Sequence, residues 1–117
     1  MDNSPIFRDQ KNGIDMKHKR IDANQNEVVK ALREVGCSVL IISDLGNSAD
    51  LIVGIRGFNF IIEVKDGRKP KSQRKLTKAE QKFHNEWRGQ VGIVYSPTDA
   101  IDFIFERLND HNVPYGT

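Results

Sequence analysis

The chain has little cysteine, few histidines and no long hydrophobic stretch. Its single cysteine, Cys37, has no partner for an internal disulfide, so we expect it to be a small buried residue in a reducing compartment. The three histidines, His18, His84 and His111, are too scattered in the sequence for a zinc site. The apolar runs are far too short to span a bilayer, and the polar N-terminus has no apolar signal segment. These absences predict a cytoplasmic protein with no membrane partner.

The net charge is small, but positive charge is concentrated in one segment. The formal net charge is +2, yet Asp66 is the only acid between Lys65 and Lys78. A local basic cluster on a near-neutral protein favours a polyanion bound on one side, and the alternative is an exposed loop that happens to be basic. The residues that we expect to bind such a polyanion are Arg68, Lys69, Lys71, Arg74, Lys75 and Lys78.

Hydrophobic periodicity and turn residues predict seven elements in one domain. They are a helix at 23–35, strands at 37–42, 50–55 and 58–65, a helix at 77–87, a strand at 90–95 and a helix at 97–109. Three consecutive strands and a helical crossover to a fourth predict an α/β fold, with a mixed central sheet and helices on both faces. Residues 1–21 have no usable periodicity, so we expect an N-terminal arm or tail before a domain at 22–117.

The two central strands are predicted to form a hairpin whose turn determines its register. A two-residue turn with glycine in second position places Ile55 opposite Phe58 and therefore Asp50 opposite Glu63. Lys65 lies two residues after Glu63 and points to the same face. Two opposed carboxylates in an apolar hairpin are destabilising unless a positive charge lies between them. A hard divalent cation with oxygen ligands would supply that charge.

A solvated face for these charges is the alternative, and the apolar residues around them argue against it. Ile52 and Ile61 share the face of the two acids. The opposite face is apolar throughout, at Leu51, Val53, Ile55, Phe58, Phe60, Ile62 and Val64. Apolar residues on both faces are typical of a central strand that is covered on both sides.

The spacing Gly46-x3-Asp50-x12-Glu63-Val-Lys65 on this order of elements resembles the PD-(D/E)xK nuclease superfamily. More closely, the run from Gly46 through Trp87 is similar to the VRR-NUC (virus-type replication-repair nuclease) domain. The similar stretches are Asn-Ser-Ala-Asp-Leu-Ile-Val-Gly, Ile-Ile-Glu-Val-Lys-Asp-Gly-Arg-Lys-Pro and Ser-Gln-Arg-Lys-Leu-Thr-x3-Gln-x2-Phe-His. Ala49 stands where the family has proline, a change that affects the turn before Asp50 and leaves the charged residues in place.

The resemblance implies a restriction-endonuclease-like αβββαβ core with an additional C-terminal helix. It also implies that Asp50 and Glu63 hold Mg²⁺ or Mn²⁺ with help from the Val64 carbonyl. Such a metal polarises the scissile phosphate and lowers the pKa of an attacking water. Lys65 would orient that water or stabilise the charge that develops on the phosphate.

Two helical residues resemble further members of the family's site. Glu27 on the first helix resembles an acid that reaches the metal through water, and its alternative is an exposed helix acid. Gln81 on the second helix resembles a glutamine near Lys65, and its alternative is a solvated position. His84 follows on the same helix face as Gln81 and Trp87, where packing beside Trp87 is favoured over a phosphate contact.

The function implied is a metal-dependent, structure-specific DNA endonuclease, with a Holliday-junction resolvase as the first reading. A flap-type repair nuclease, a restriction-like enzyme and a DNA-binding module without catalysis are the alternatives. Two symmetric cuts in a junction need two sites, so we expect a homodimer. The last helix offers apolar surface for it at Ile101, Phe103, Ile104, Phe105 and Leu108.

Overall fold

The computed structural model describes residues 23–45 and 49–111, so the predicted arm at 1–21 lies outside the described residues. The helices and strands are α1 (Ala23–Glu34), β1 (Ser38–Ile41), β2 (Leu51–Ile55), β3 (Phe58–Val64), α2 (Lys78–Glu86), β4 (Val91–Val94) and α3 (Pro97–Asp110). Short 3₁₀ turns follow β1 and β3, at Ser43–Leu45 and Lys71–Gln73. The predicted order is confirmed, and each end differs from its predicted position by no more than one residue. Within the described ranges, no helix has the length and apolar character needed to cross a membrane.

The sheet is mixed and has the order β1-β2-β3-β4. The first two pairings are antiparallel and β3 pairs with β4 in parallel, as expected for a crossover through α2. The hairpin register is the predicted one, with Ile55 opposite Phe58 and Leu51 opposite Ile62. The turn permits it because both Arg56 and Gly57 have positive φ, at 51° and 85°.

The core lies between one face of the sheet and the helices α1 and α3. Val28 and Leu32, one helical turn apart on α1, are fully buried, and Gly36 follows the helix with φ of 100°. They belong to one cluster with the inward residues of the strands and with Ile104 and Leu108 of α3. This side of the sheet is therefore a single packed layer.

The second face of the sheet is less covered than the sequence predicts. Leu40, Ile52, Ile61 and Val91 lie side by side across the four strands, and Leu40 is 59% exposed. The helix α2 contributes no buried residue. Its nine residues are mainly polar, so α2 has no apolar stripe with which to cover this face.

The apolar residues of α3 are used within the chain, so the expectation of a spare apolar surface on this helix is wrong. Ile104 and Leu108 are buried, and Ile101, Phe103 and Phe105 are half-buried against the core. Of the large hydrophobic residues that are exposed in the described part of the chain, none is on α3. The two core layers beside α3, the sheet and α1, explain why its apolar surface extends so far around the helix. The homodimer itself stays a prediction.

Candidate active site

The β2–β3 hairpin brings the two predicted carboxylates to the end of β3. Asp50 precedes β2, and its backbone N–H donates to the Ile62 carbonyl at 3.0 Å. Its Oδ2 accepts a 2.7 Å hydrogen bond from the Val64 N–H. Glu63 points to the second face of the sheet and is only 5% exposed. A carboxyl group buried to this extent needs a compensating charge or a proton.

The surroundings of Glu63 disfavour its negative charge and so raise its pKa. Burial, the negative charges of Asp50 and Glu80, and a hydrogen bond with the Glu80 carboxyl together raise the pKa of Glu63 to about 8. The charge of Lys65 acts in the opposite direction but does not outweigh them. At neutral pH, Glu63 therefore keeps a proton that a divalent cation would displace.

Lys65 completes the group on this face. Its Nζ lies 3.3 Å from Oε2 of Glu63 and 2.9 Å from Oε1 of Glu80. Burial lowers the pKa of the Lys65 ammonium, but the hydrogen bonds and charges of Glu80 and Glu63 outweigh it and raise the pKa above its usual value. Lys65 is therefore a charged ammonium between two carboxyl groups.

Glu80 is a residue of this site that the sequence placed only in a helix cap. The predicted capping box is present: the Glu80 N–H donates to Thr77 Oγ1 at 3.1 Å, and the Thr77 N–H donates to Glu80 Oε1 at 2.9 Å. Burial raises the pKa of Glu80, but the bonds from Lys65 and Thr77 outweigh it and lower the pKa. The second role of Glu80, its contact with Lys65, is revealed only by the position of α2 in the folded chain.

The first turn of α1 reaches the site through Asn24 and Gln25, which the sequence also missed. Asn24 Nδ2 donates to the Lys65 carbonyl at 2.8 Å, and Gln25 Nε2 donates to Ser43 Oγ at 3.1 Å. Ser43 Oγ lies 3.4 Å from Asp50 Oδ1. A signal existed, because Asn24 and Gln25 lie one turn before apolar residues of α1 and so share the buried stripe.

Glu27 is on the same helix but is exposed. With Asn24, Arg68, Arg74 and other residues, it lines an open cleft of about 590 Å³ beside the site. The lining of this cleft does not include Asp50, Glu63 or Lys65, and the cleft is connected to the site through the bond of Asn24 to the Lys65 carbonyl. The water-mediated metal role of Glu27 stays a prediction.

The structure does not join Gln81 to Lys65. Gln81 is exposed, and its Nε2 donates to Asn85 Oδ1 at 3.0 Å, one turn further along α2. His84 is half-buried and packs edge-on against Phe83, which stacks on Trp87. Burial lowers the pKa of His84. The half-buried position agrees with the packed histidine that the sequence favoured, but the ring contact is with Phe83 and not with Trp87 as predicted.

The basic loop, residues 66–77, runs between β3 and α2. Arg68 bonds to Asp66, and Arg74 Nε donates to the Lys69 carbonyl at 2.8 Å while its guanidinium lies over the Tyr95 ring. The remaining basic residues predicted to bind DNA are exposed, at Lys69, Lys71, Lys75 and Lys78. The loop therefore presents positive charge to solvent beside the carboxylate pair, and its binding role stays a prediction.

The donor set suits an open Mg²⁺ or Mn²⁺ site rather than a metal centre that is fully enclosed by protein ligands. In residues 23–45 and 49–111, no three or more His, Cys, Asp or Glu side chains form a metal-binding group. Magnesium is commonly held by one or two carboxylates and substrate phosphates, and it keeps several waters. The buried Glu63 and the half-buried Asp50, whose negative charge raises the pKa of Glu63, fit that arrangement. The Val64 carbonyl as a third ligand stays a prediction.

Three comparisons with known proteins were negative. No family model, curated protein or solved structure matches the chain. Support for a function therefore comes from the geometry of the site and from the motif resemblance.

Proposed function

We propose that this chain is a metal-dependent endonuclease for branched DNA, with a VRR-NUC-like, restriction-endonuclease-like core. The observation that carries the proposal is the meeting of Asp50, Glu63 and Lys65 at the end of one hairpin. The raised pKa of Glu63 supports it, since strongly perturbed carboxyl groups in a cluster are typical of functional sites.

The chemistry divides among three side chains. Mg²⁺ or Mn²⁺ held by Asp50 and Glu63 would polarise the scissile phosphate and lower the pKa of the attacking water. Asp50 is held in place by the Val64 N–H and the Ser43 hydroxyl, so its orientation is set before substrate arrives. The Lys65 ammonium would orient the water or offset negative charge that develops on the phosphate oxygens.

The surroundings of the site favour a polyanionic substrate. The basic loop starts one residue after Lys65, and Arg68 and Arg74 line the cleft beside it. Phosphate contacts from such arginines and lysines would hold the DNA backbone across the site. Glu27 and Asp99 in the same cleft offset part of this charge, so the exposed lysines of the loop carry most of the proposed binding.

We propose a four-way junction as the preferred substrate because the motif resemblance implies it, and two symmetric cuts would then require a two-fold homodimer. A flap nuclease acting as a monomer is the alternative, and the two differ in a direct test. The protein is incubated with labelled four-way junctions, flaps, duplex and single strands in Mg²⁺ or Mn²⁺, with Asp50→Asn as the inactive control. We expect paired cuts in the junction by the wild type only. Absence of cleavage of every substrate in both metals would refute the nuclease assignment.

A further inference from the structure

The ammonium of Lys65 is held by the first turn of α2. Glu80 Oε1 accepts both from Lys65 Nζ and from the Thr77 N–H, each at 2.9 Å. The Thr77 hydroxyl in turn accepts from the Glu80 N–H at 3.1 Å. Glu80 is thus held by the capping box through both its backbone N–H and its carboxylate, independently of its contact with Lys65.

We propose that Glu80 is a positioning residue for Lys65 in the reaction assigned above, so the inference rests on that proposed function. The capping box of α2 would hold the lysine ammonium at the place where the phosphate reacts. A cap needs only the backbone of Thr77 as its partner. The helix cap does not require the further contact that Glu80 makes with Lys65, a charged and partly buried lysine.

A lysine needs such a partner more than most catalytic side chains. Its four-carbon stem has many rotamers, so holding the ammonium in one position carries a cost in conformational entropy. Lys65 has two carboxyl neighbours, Glu63 at 3.3 Å and Glu80 at 2.9 Å. When Glu63 serves as a metal ligand, its oxygens are engaged by the cation. Glu80 then remains as the contact that keeps the ammonium in place.

The Lys65–Glu80 ion pair also links the two ends of the basic loop. Lys65 immediately precedes residues 66–77, and Glu80 lies in the first turn of the helix that follows them. The pair therefore ties together the two ends of the segment proposed to bind phosphates. Displacement of α2 would move Glu80 and release the lysine, which links the position of the loop to the position of the reacting group.

Two glutamine variants on the same helix separate this role from a general effect of charge. Glu80→Gln keeps the capping box, since glutamine serves at this position as well as glutamate. It removes the charge beside Lys65. Glu86→Gln removes the same charge from the last turn of α2, where Glu86 pairs with exposed Lys82. Thermal unfolding of both variants tests whether the fold is intact.

We expect Glu80→Gln to lower the single-turnover cleavage rate about ten- to hundredfold at saturating Mn²⁺ and DNA. The Kd for DNA measured in Ca²⁺ should change less than about twofold, because Glu80 does not bind DNA. Glu86→Gln should retain the wild-type rate. The ammonium signal of Lys65 in proton–nitrogen NMR, assigned by its loss in Lys65→Met, should be visible in the wild type. It should broaden in Glu80→Gln alone.

The remaining outcomes separate failure of the positioning role from failure of the nuclease assignment. Equal rates for the wild type and Glu80→Gln, equal losses in both glutamine variants, or an unchanged Lys65 signal would overturn the positioning role while leaving the nuclease assignment intact. A wild-type protein that cleaves no DNA would remove the proposed function, and the positioning role of Glu80 in that reaction with it.

Discussion

The Asp50 carboxylate accepts a 2.7 Å hydrogen bond from the Val64 N–H, across the hairpin and one residue beyond Glu63. This bond fixes one acid against the backbone that carries the other. The bond therefore keeps the Asp50 carboxylate close to Glu63. Burial of Glu63 and the negative charges of Asp50 and Glu80 raise the pKa of Glu63 to about 8. A divalent cation held by the two acids would offset this charge.

Removing either carboxylate should abolish cleavage. We expect Asp50→Asn and Glu63→Gln to reduce turnover at least about 10³-fold, because a lost ligand removes several kcal/mol of charge stabilisation. Folding should survive, since each change removes a group whose negative charge is disfavoured in this partly buried site. Cleavage assays in Mg²⁺ with circular dichroism as the folding control measure both effects. Wild-type cutting by both variants would show that the site is elsewhere.

The metal-free protein should lose stability as the pH rises. The pKa of Glu63 is about 8 in the folded chain and 4.5 for an ordinary glutamate, so the folded state holds an extra proton between these values. Its contribution is complete below about pH 4.5 and lost as pH rises through about 8, on the order of a few kcal/mol.

Thermal unfolding from pH 5.5 to 8.5 in chelator measures this loss. His84 acts in the opposite direction near its usual pKa of 6.5, because its own pKa is lowered by burial. Lys65 and Glu80, two further charged neighbours, change protonation outside this range, since their pKa values move away from it. Glu63→Gln should remove the downward trend. An identical pH profile for the variant would contradict the assignment to Glu63.

The Ser43 hydroxyl should support metal binding through Asp50. Ser43→Ala removes its contacts with Gln25 and Asp50, and we expect Mn²⁺ to bind about tenfold more weakly. The variant should lose about 1 kcal/mol of unfolding free energy. Calorimetric titration with Mn²⁺ measures the first effect, and Ser38→Ala, at an exposed serine of β1, is the control. Equal Mn²⁺ affinity in both variants would exclude this role.

The basic loop should contribute to the salt dependence of DNA binding. Replacing Lys69, Lys71 and Lys75 by glutamine should reduce the slope of log K against log[salt] by about 2–3 units, since each phosphate contact contributes about 0.9. Lys30→Gln on α1 is the control for loss of a single exposed charge. A slope that equals that of the wild type would mean that the loop faces away from DNA.

The junction assignment predicts a homodimer. Light scattering at micromolar concentration should give twice the chain mass, because two symmetric cuts need two sites. The exposed large hydrophobic residues available for an interface in the described part of the chain, such as Leu40, Ile41 and Trp87, lie outside α3. A monomer that cuts flaps but leaves four-way junctions intact would favour the flap nuclease.

The sequence by itself determined the elements of the fold and the register of its central hairpin. Both depend on neighbouring residues: Arg56-Gly57 in the turn, the Thr77 and Glu80 capping box, and Ser96 before Pro97 at the start of α3. Asp50, Glu63 and Lys65 came together for the same reason, because a two-residue turn determines which residues oppose each other.

The tertiary structure decided which helical side chains reach that site. Periodicity shows that residues share a helix face but not how the helix is rotated against the sheet. The packing of α1 and the approach of α2 therefore selected Asn24, Gln25 and Glu80, whereas Glu27 and Gln81 are exposed. The apolar surface of α3 was misjudged for a related reason. A sequence shows how much of a helix is apolar, but only packing shows how many layers cover it.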